Sequence, residues 1–159
     1  MFEKPQKEHE WFNQLEGEWL SETECQMGPD HPPHKSTGEV CCRSMQGMWC
    51  LIEGKGEEPD SGGWSTLMTL GYDPKQSQYV GTFVGSMITF LWHYQGGLDE
   101  SGRKLTLDTE GPKFHGSGTT AYKDSIEIVD DDHWILSSEI LTDEGNWEQI
   151  MTSHHRRKN

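Results

Sequence analysis

Basic residues are scarce in this chain, and their scarcity argues against one large class of partners. Lysine and arginine together number 13, against 27 aspartates and glutamates, which leaves a formal net charge of −14 over 159 residues. A surface of this sign repels the phosphate backbone of nucleic acids. The one basic cluster, residues 156–158, follows the last predicted strand and fits a solvated tail. We therefore expect no nucleic-acid partner.

Long apolar runs are also missing. No stretch approaches the roughly 20 consecutive apolar residues that a membrane-spanning helix needs, and the N-terminus has no apolar segment of the signal-peptide kind. The sequence thus predicts a cytoplasmic protein without a membrane partner.

Cysteines are few, and their spacing does not indicate a metal site. Cys25, Cys41, Cys42 and Cys50 lack the repeated two-residue spacing of a zinc ribbon. Cys41 and Cys42 are adjacent, so they would point to opposite faces of a strand. We expect reduced thiols in a reducing compartment, with no metal and no cofactor.

Glycine and aromatic residues, in contrast, are plentiful. The chain has 18 glycines, seven tryptophans and five phenylalanines, a composition that suits an all-β protein with many turns. Residues 5–15 are the exception, because Pro5 suits the first turn of a helix and Trp11, Phe12 and Leu15 form an apolar stripe. We predict one short N-terminal helix there, with Trp11 docked on the rest of the fold.

Ten segments of alternating polar and apolar residues follow this helix, as expected for strands with one buried face. The predicted strands cover residues 18–27, 36–44, 48–55, 65–72, 78–85, 88–96, 104–110, 119–129, 133–141 and 146–155. Polar loops over residues 28–35 and 56–63 are the longest early connections.

Aromatic residues fix the expected register of three central strands. Placing Tyr72 opposite Tyr79 across one tight turn, and Phe83 opposite Trp92 across the next, puts all four rings on one face. An apolar face of this size must be covered or closed on itself.

The connections between the predicted strands are mostly short, and no second helix is predicted to cover an open sheet. These features favour an all-β fold: an antiparallel up-and-down closed barrel of about ten strands, in a single domain over residues 1–159. A two-sheet sandwich is the alternative.

Several motifs together resemble a known family. The chain contains HEW at residues 9–11, LEGEW at 15–19, CQMGPD at 25–30, LMTLGYDP at 67–74, YVGTF at 79–83, SM at 86–87 and EGP at 110–112. This set resembles the uncharacterised bacterial family called domain of unknown function 1579. The resemblance implies a lipocalin-like or calycin-like barrel, and it brings no established reaction, cofactor or catalytic residue. Phe83 stands where the family's tryptophan is expected, which keeps an aromatic ring there.

A small hydrophobic ligand inside the barrel is the function that this pattern favours. Gly81 lies opposite both Leu70 and Tyr94 and is expected to leave a gap between them, with Phe83 and Trp92 as walls. The predicted ligand-binding residues are Met68, Leu70, Gly81, Phe83, Trp92, Tyr94 and Leu107.

An enzymatic site is one alternative. The β-hairpin register sets His93 opposite Glu110, a pair that could act as a base or could begin a metal site with Asp108. We regard an exposed cross-strand ion pair as the simpler interpretation.

The remaining histidines give weaker alternatives. His31 and His34 lie in a loop without an evident third ligand, and a single late-strand histidine, His154 or His155, could in principle hold a haem. The third functional class is a filled barrel that serves protein association, including homo-oligomer formation.

Overall fold

The computed structural model describes residues 1–26, 30–58 and 62–159. It contains a short 3₁₀ helix, Lys7–Leu15, followed by ten strands. The strands are β1 Gly17–Cys25, β2 His34–Met45, β3 Trp49–Gly56, β4 Trp64–Asp73, β5 Gln78–Gly85, β6 Ile88–Leu98, β7 Lys104–Pro112, β8 Thr119–Asp130, β9 His133–Leu141 and β10 Trp147–Arg157.

Each strand pairs antiparallel with its neighbour in sequence, and β1 also pairs with β10, so the sheet closes on itself. The prediction of a ten-stranded up-and-down barrel is confirmed, and the sandwich alternative is excluded. Met27, the last residue of the first predicted strand, lies outside the described residues, as do residues 28–29 and 59–61 of the two predicted early loops. Among the described residues, no helix is long and apolar enough to cross a bilayer.

The predicted register of the central strands is correct. Tyr72 pairs with Tyr79, and Phe83 pairs with Trp92. Their parity directs these side chains to the inside of the barrel, because alternate residues of a strand point to opposite faces.

The N-terminal helix has a different pitch from the one its apolar stripe suggested. Its buried residues are His9, Phe12 and Leu15, spaced three apart. A 3₁₀ helix has three residues per turn, so these side chains lie on one line. Trp11 falls off that line and is half-buried, although its indole Nε1 donates to the carbonyl of Gly102 at 2.8 Å, which docks the helix as predicted.

This helix closes one end of the barrel. The ring of Phe12 meets Tyr79 edge-to-face at 5.6 Å, and the Tyr79 hydroxyl donates to the carbonyl of Glu8 at 3.0 Å. The indole of Trp19 donates to the carbonyl of Leu15 at 2.9 Å. The helix is therefore fixed by both ring packing and hydrogen bonds.

The last strand strengthens the same end. The guanidinium of Arg157 lies over the Trp19 ring, 4.1 Å from its centroid, and donates to the carbonyl of Glu16 at 3.0 Å. A cation over an indole face is attracted by the ring quadrupole. Arg157 thus joins the first strand to the last.

Packing differs between the two halves of the interior. Near the helix, the inward side chains are fully enclosed: Leu15, Trp19, Leu70, Leu105, Leu107, Ile126 and Trp134 are 0–1% exposed. Away from the helix, inward side chains keep accessible surface: Thr66, Phe83, Phe90, Trp92, Asp124 and Met151 are each half-buried. We call the interior lined by these six residues the far half.

The four cysteines are free thiols. Cys42 and Cys50 are buried on the inner face, and burial is the main cause that raises the pKa of the Cys50 thiol to about 12. Cys41 is exposed on the opposite face from Cys42, as the strand alternation predicted.

Candidate ligand site in the far half of the barrel

Aromatic rings form one wall of the far half. The Trp92 ring meets Phe90 and Tyr122 edge-to-face, with both centroid separations at 4.9 Å, and Tyr122 meets Phe114 at 6.3 Å. The hydroxyl of Tyr122 donates to the carbonyl of Pro112, which fixes the ring at the end of β7. The wall is a continuous series of edge-to-face contacts, the favoured geometry for aromatic pairs.

A glycine explains why Trp92 can take this position. A Cβ placed on Gly111 would lie 2.1 Å from Cζ3 of Trp92, so the indole occupies the space that a side chain would need. The hydrogen-bonded ladder between β6 and β7 ends at the pair Gln95 and Asp108, before the chain reaches Trp92. Beyond the pair Gln95–Asp108, β6 and β7 contact each other through the packing of Trp92 on Gly111 and not through ladder hydrogen bonds.

A second indole covers the opposite wall. A Cβ on Gly38 would lie 2.9 Å from the Trp64 ring, and one on Gly56 would lie 2.5 Å from it. Trp64 therefore lies flat over two glycines of β2 and β3.

A hydrogen-bonded carboxylate lies at the inner limit of the far half. Asp124 accepts from the hydroxyl of Tyr94 at 2.5 Å and from the hydroxyl of Ser138 at 2.6 Å. Protein atoms surround the carboxyl group on nearly all sides, and this burial raises its pKa above the usual range although both hydrogen bonds act to lower it. Solvent still reaches part of the residue, because Asp124 is half-buried rather than enclosed.

Burial beside this carboxylate also acts on Tyr94. Desolvation, followed by the charge of Asp124, raises the pKa of the Tyr94 hydroxyl well above its usual range. Tyr94 therefore stays protonated and serves as a donor.

A buried histidine, His155, lies on the inner face of β10. The ring of His155 stacks on Trp134 with centroids 3.7 Å apart and planes 2° from parallel. Burial lowers the pKa of His155 to about 3, so its ring is neutral at pH 7. Its Nδ1 and the Nε1 of Trp134 find no hydrogen-bond partner among the described residues. His154 lies on the outer face, with Nδ1 2.9 Å from Nε2 of His133.

The seven predicted ligand-binding residues divide between the two halves. Met68, Leu70, Tyr94 and Leu107 are buried, and Gly81 is half-buried opposite Leu70. Phe83 and Trp92 line the far half. Ligand binding by this set remains a prediction.

The expected gap beside Gly81 is not open. A Cβ at this position would lie 2.1 Å from the carbonyl oxygen of Thr69 and 2.8 Å from Cδ2 of Leu70. The backbone of β4 and the Leu70 side chain therefore fill the space that the missing side chain leaves. Accessible interior surface lies further from the helix, beside Phe83 and Trp92.

The alternative catalytic pair is not assembled. His93 and Glu110 are exposed on the outer face, and the β6–β7 ladder ends before it reaches them. Glu110 instead accepts a hydrogen bond from the Thr119 hydroxyl at 2.5 Å. Asp108 is exposed as well, and the described part of the chain contains no group of three metal-ligating side chains.

The loop histidines also remain apart. Nε2 of His34 lies 3.1 Å from Oε1 of Glu58, and the carbonyl of His31 accepts from Gln26 at 2.7 Å. Within the described residues, neither histidine belongs to a group of three or more side chains that could hold a metal ion.

Sequence reasoning missed Asp124. A signal was present, because Asp124 falls at the inward parity of β8, between Tyr122 and Ile126. An acidic residue at such a position is unusual enough to mark an internal polar site.

Solved structures resemble the whole fold. Rv2717c from M. tuberculosis superposes with a TM-score of 0.70 at 13% sequence identity, covering 98% of this chain and 100% of that chain. The S-type phycobiliprotein lyase CPES from Guillardia theta gives a TM-score of 0.58 at 15% identity, covering 97% of this chain and 94% of that chain. At these identities the similarity shows the fold alone.

Sequence comparison identifies the family. No curated protein matches the chain. The family model described as a protein of unknown function, DUF1579, matches residues 4–157 and so covers nearly the whole chain, as its motifs indicated. With its motifs, its match and its barrel in agreement, this chain belongs to the DUF1579 family.

Proposed function

We propose that this protein binds a small molecule with a flat apolar body in the far half of its barrel. One observation carries the proposal: Phe83 and Trp92 point inward and yet stay half-buried, while the inward Leu70 and Leu107 are fully buried. Because solvent still reaches these inward-facing rings, the space beside them can accept a ligand. Ligand pockets are commonly lined by such rings together with a few polar groups.

The chemistry of the walls supports a planar guest. Phe83, Phe90 and Trp92 present ring faces and edges, and aromatic pairs gain free energy beyond the apolar area that they bury. Tyr94 and Asp124 add a small polar region at the inner limit. A binding role is favoured over a catalytic one, because His93 and Glu110 lie exposed on the outer face, beyond the described pairs of the β6–β7 ladder.

A neutral dye tests this proposal. N-phenyl-1-naphthylamine, which fluoresces in apolar surroundings, is titrated into the wild-type protein and into Trp92→Leu. We expect the wild type to bind the dye, and the variant to bind it about tenfold more weakly because one ring of the wall is lost.

Trp147→Leu is the matched control, since Trp147 is an exposed tryptophan on the outer surface beside Lys123. It should change the dye affinity by less than about twofold. Circular dichroism confirms that both variants are folded. If the wild type takes up no dye, or if the Trp92 and Trp147 variants weaken binding equally, the far half is not the binding site.

We further propose that the protein works in the cytoplasm and that it can self-associate. The free thiols are compatible with a reducing compartment.

The proposed self-association uses an exposed apolar tip on the β5–β6 hairpin. This tip consists of four side chains that are each 40–60% exposed: Val84, Met87, Ile88 and Leu91. Sedimentation velocity of wild type and Met87→Glu tests this contact: a dimer that the variant reduces to monomer supports it, and a wild-type monomer contradicts it.

A further inference from the structure

We infer that the ligand of the far half is an organic cation, a flat aromatic ring system carrying an ammonium group, and that Asp124 is its counter-charge. The inference rests on the proposed function and names the class of molecule that the site takes.

The carboxylate of Asp124 has acceptor capacity that the protein does not use. An ionised carboxylate has about four lone-pair positions. The hydroxyls of Tyr94 and Ser138 use two of them, one on each oxygen. Both donors are neutral, so they hold the carboxylate in place without cancelling its charge.

Asp124 has no cationic partner among the described residues. None of the ion pairs between described residues includes Asp124. Its neighbours across the ladders are Leu107 on β7 and Ser138 on β9, and Lys123 on the same strand is directed outward over the Trp147 ring. Charged groups inside proteins are normally paired, because an isolated ion is costly to remove from water. A cationic ligand would supply the missing charge.

Aromatic rings and a hydroxyl group lie on the same inward face as the carboxylate. Tyr122 lies two residues from Asp124 on the same inward face, in edge-to-face contact with Trp92. Aromatic faces attract cations, and indole attracts them most strongly. The Thr109 hydroxyl, opposite Tyr122, is buried and has no hydrogen-bond partner within the described ranges. It is a second polar group without a described partner on the inward face that carries Asp124.

The charge of the whole chain acts in the same direction. A net charge of −14 raises the local concentration of cations around the protein and lowers that of anions. An anionic ligand would meet both this field and the unpaired carboxylate.

Three probes with one ring system test the inference: 1-naphthylmethylammonium, 1-naphthalenemethanol and 1-naphthoate. Their affinities for the wild type and for Asp124→Asn are measured by isothermal titration calorimetry at constant ionic strength. In the wild type we expect the ammonium to bind at least about tenfold more tightly than the alcohol, as for a hydrogen bond to a charged group, and the carboxylate to bind weakest. Asp124→Asn should abolish this preference, because the ammonium should lose much more affinity than the alcohol.

Asp108→Asn is the matched control, because it removes the same charge from the outer face of β7. It should keep the preference for the ammonium. If both variants lose the preference for the ammonium equally, the preference comes from the net negative charge of the protein and not from Asp124. That result would overturn the inference.

The wild-type affinities alone also decide the matter, even if Asp124→Asn does not fold. Equal affinity for the ammonium and the alcohol would mean that Asp124 is protonated or inaccessible; the inference then fails while the proposed binding function stands. If none of the three probes binds, the proposed function fails with it.

Discussion

Gly96→Ala is expected to lower the free energy of unfolding by more than about 3 kcal/mol, the upper end of the usual cost of overpacking. A Cβ at Gly96 would lie only 1.8 Å from the carbonyl oxygen of Thr106, a backbone atom that cannot rotate away. Gly96 pairs with Leu107 within the short β6–β7 ladder. The substitution therefore acts inside the ladder of four residue pairs that joins these two strands. Urea denaturation followed by tryptophan fluorescence measures the change.

The neighbouring glycine provides a matched control. A Cβ at Gly97 would meet no atom within 4 Å, and neither glycine has a positive φ. Gly97→Ala should be neutral, or should stabilise the protein by about 0.5 kcal/mol, because it restricts the unfolded chain. If Gly96→Ala and Gly97→Ala have the same free energy of unfolding, the close backbone contact at Gly96 does not exclude a side chain there.

Leu15→Ala should cost about 3 kcal/mol of stability, within the range measured for truncating a fully buried leucine. The Leu15 side chain is completely enclosed and belongs to the cluster that contains Trp19 and Phe12. Its loss leaves a cavity where the helix meets the barrel. Thermal and urea melts of the variant give the magnitude.

Asn13→Ala is the comparison for this second prediction. Asn13 lies on the same helix with its side chain exposed, so the variant should stay within about 0.5 kcal/mol of the wild type. A Leu15→Ala loss as small as that of Asn13→Ala would mean that the helix is only loosely attached to the barrel.

Local patterns predicted the strands well, because the period of a strand depends on the backbone alone. The bounds of β5 and β9 agree with the predicted residues, and the pairs Tyr72–Tyr79 and Phe83–Trp92 follow from short connections that leave few registers open. The position of the helix was also predictable. Its 3₁₀ geometry was not, since the spacing of Phe12 and Leu15 fits either helix type.

The candidate site was predicted only in part, because it depends on which side chain enters which gap. The sequence shows that Gly81 lacks a side chain, but it does not show that Leu70 fills the space. Likewise, the pairing of His93 with Glu110 followed from the register, yet the ladder stops short where Trp92 lies over Gly111. Such outcomes depend on contacts between distant strands, and alternation within one strand carries no information about them.

Closure of the barrel between β1 and β10 has a consequence for how the protein acquires its structure. The ladder from Trp19–Arg157 to Cys25–Met151 joins segments about as far apart in sequence as the chain allows, and the Thr23 and Ser153 hydroxyls meet across it at 2.7 Å. During synthesis these pairs cannot form until β10 has left the ribosome. Until then, one edge of β1 has no strand partner. Contacts of such long sequence separation slow folding, and exposed edges invite pairing between chains. Nascent chains of this barrel therefore pass through a period of aggregation risk that ends only when the last strand docks.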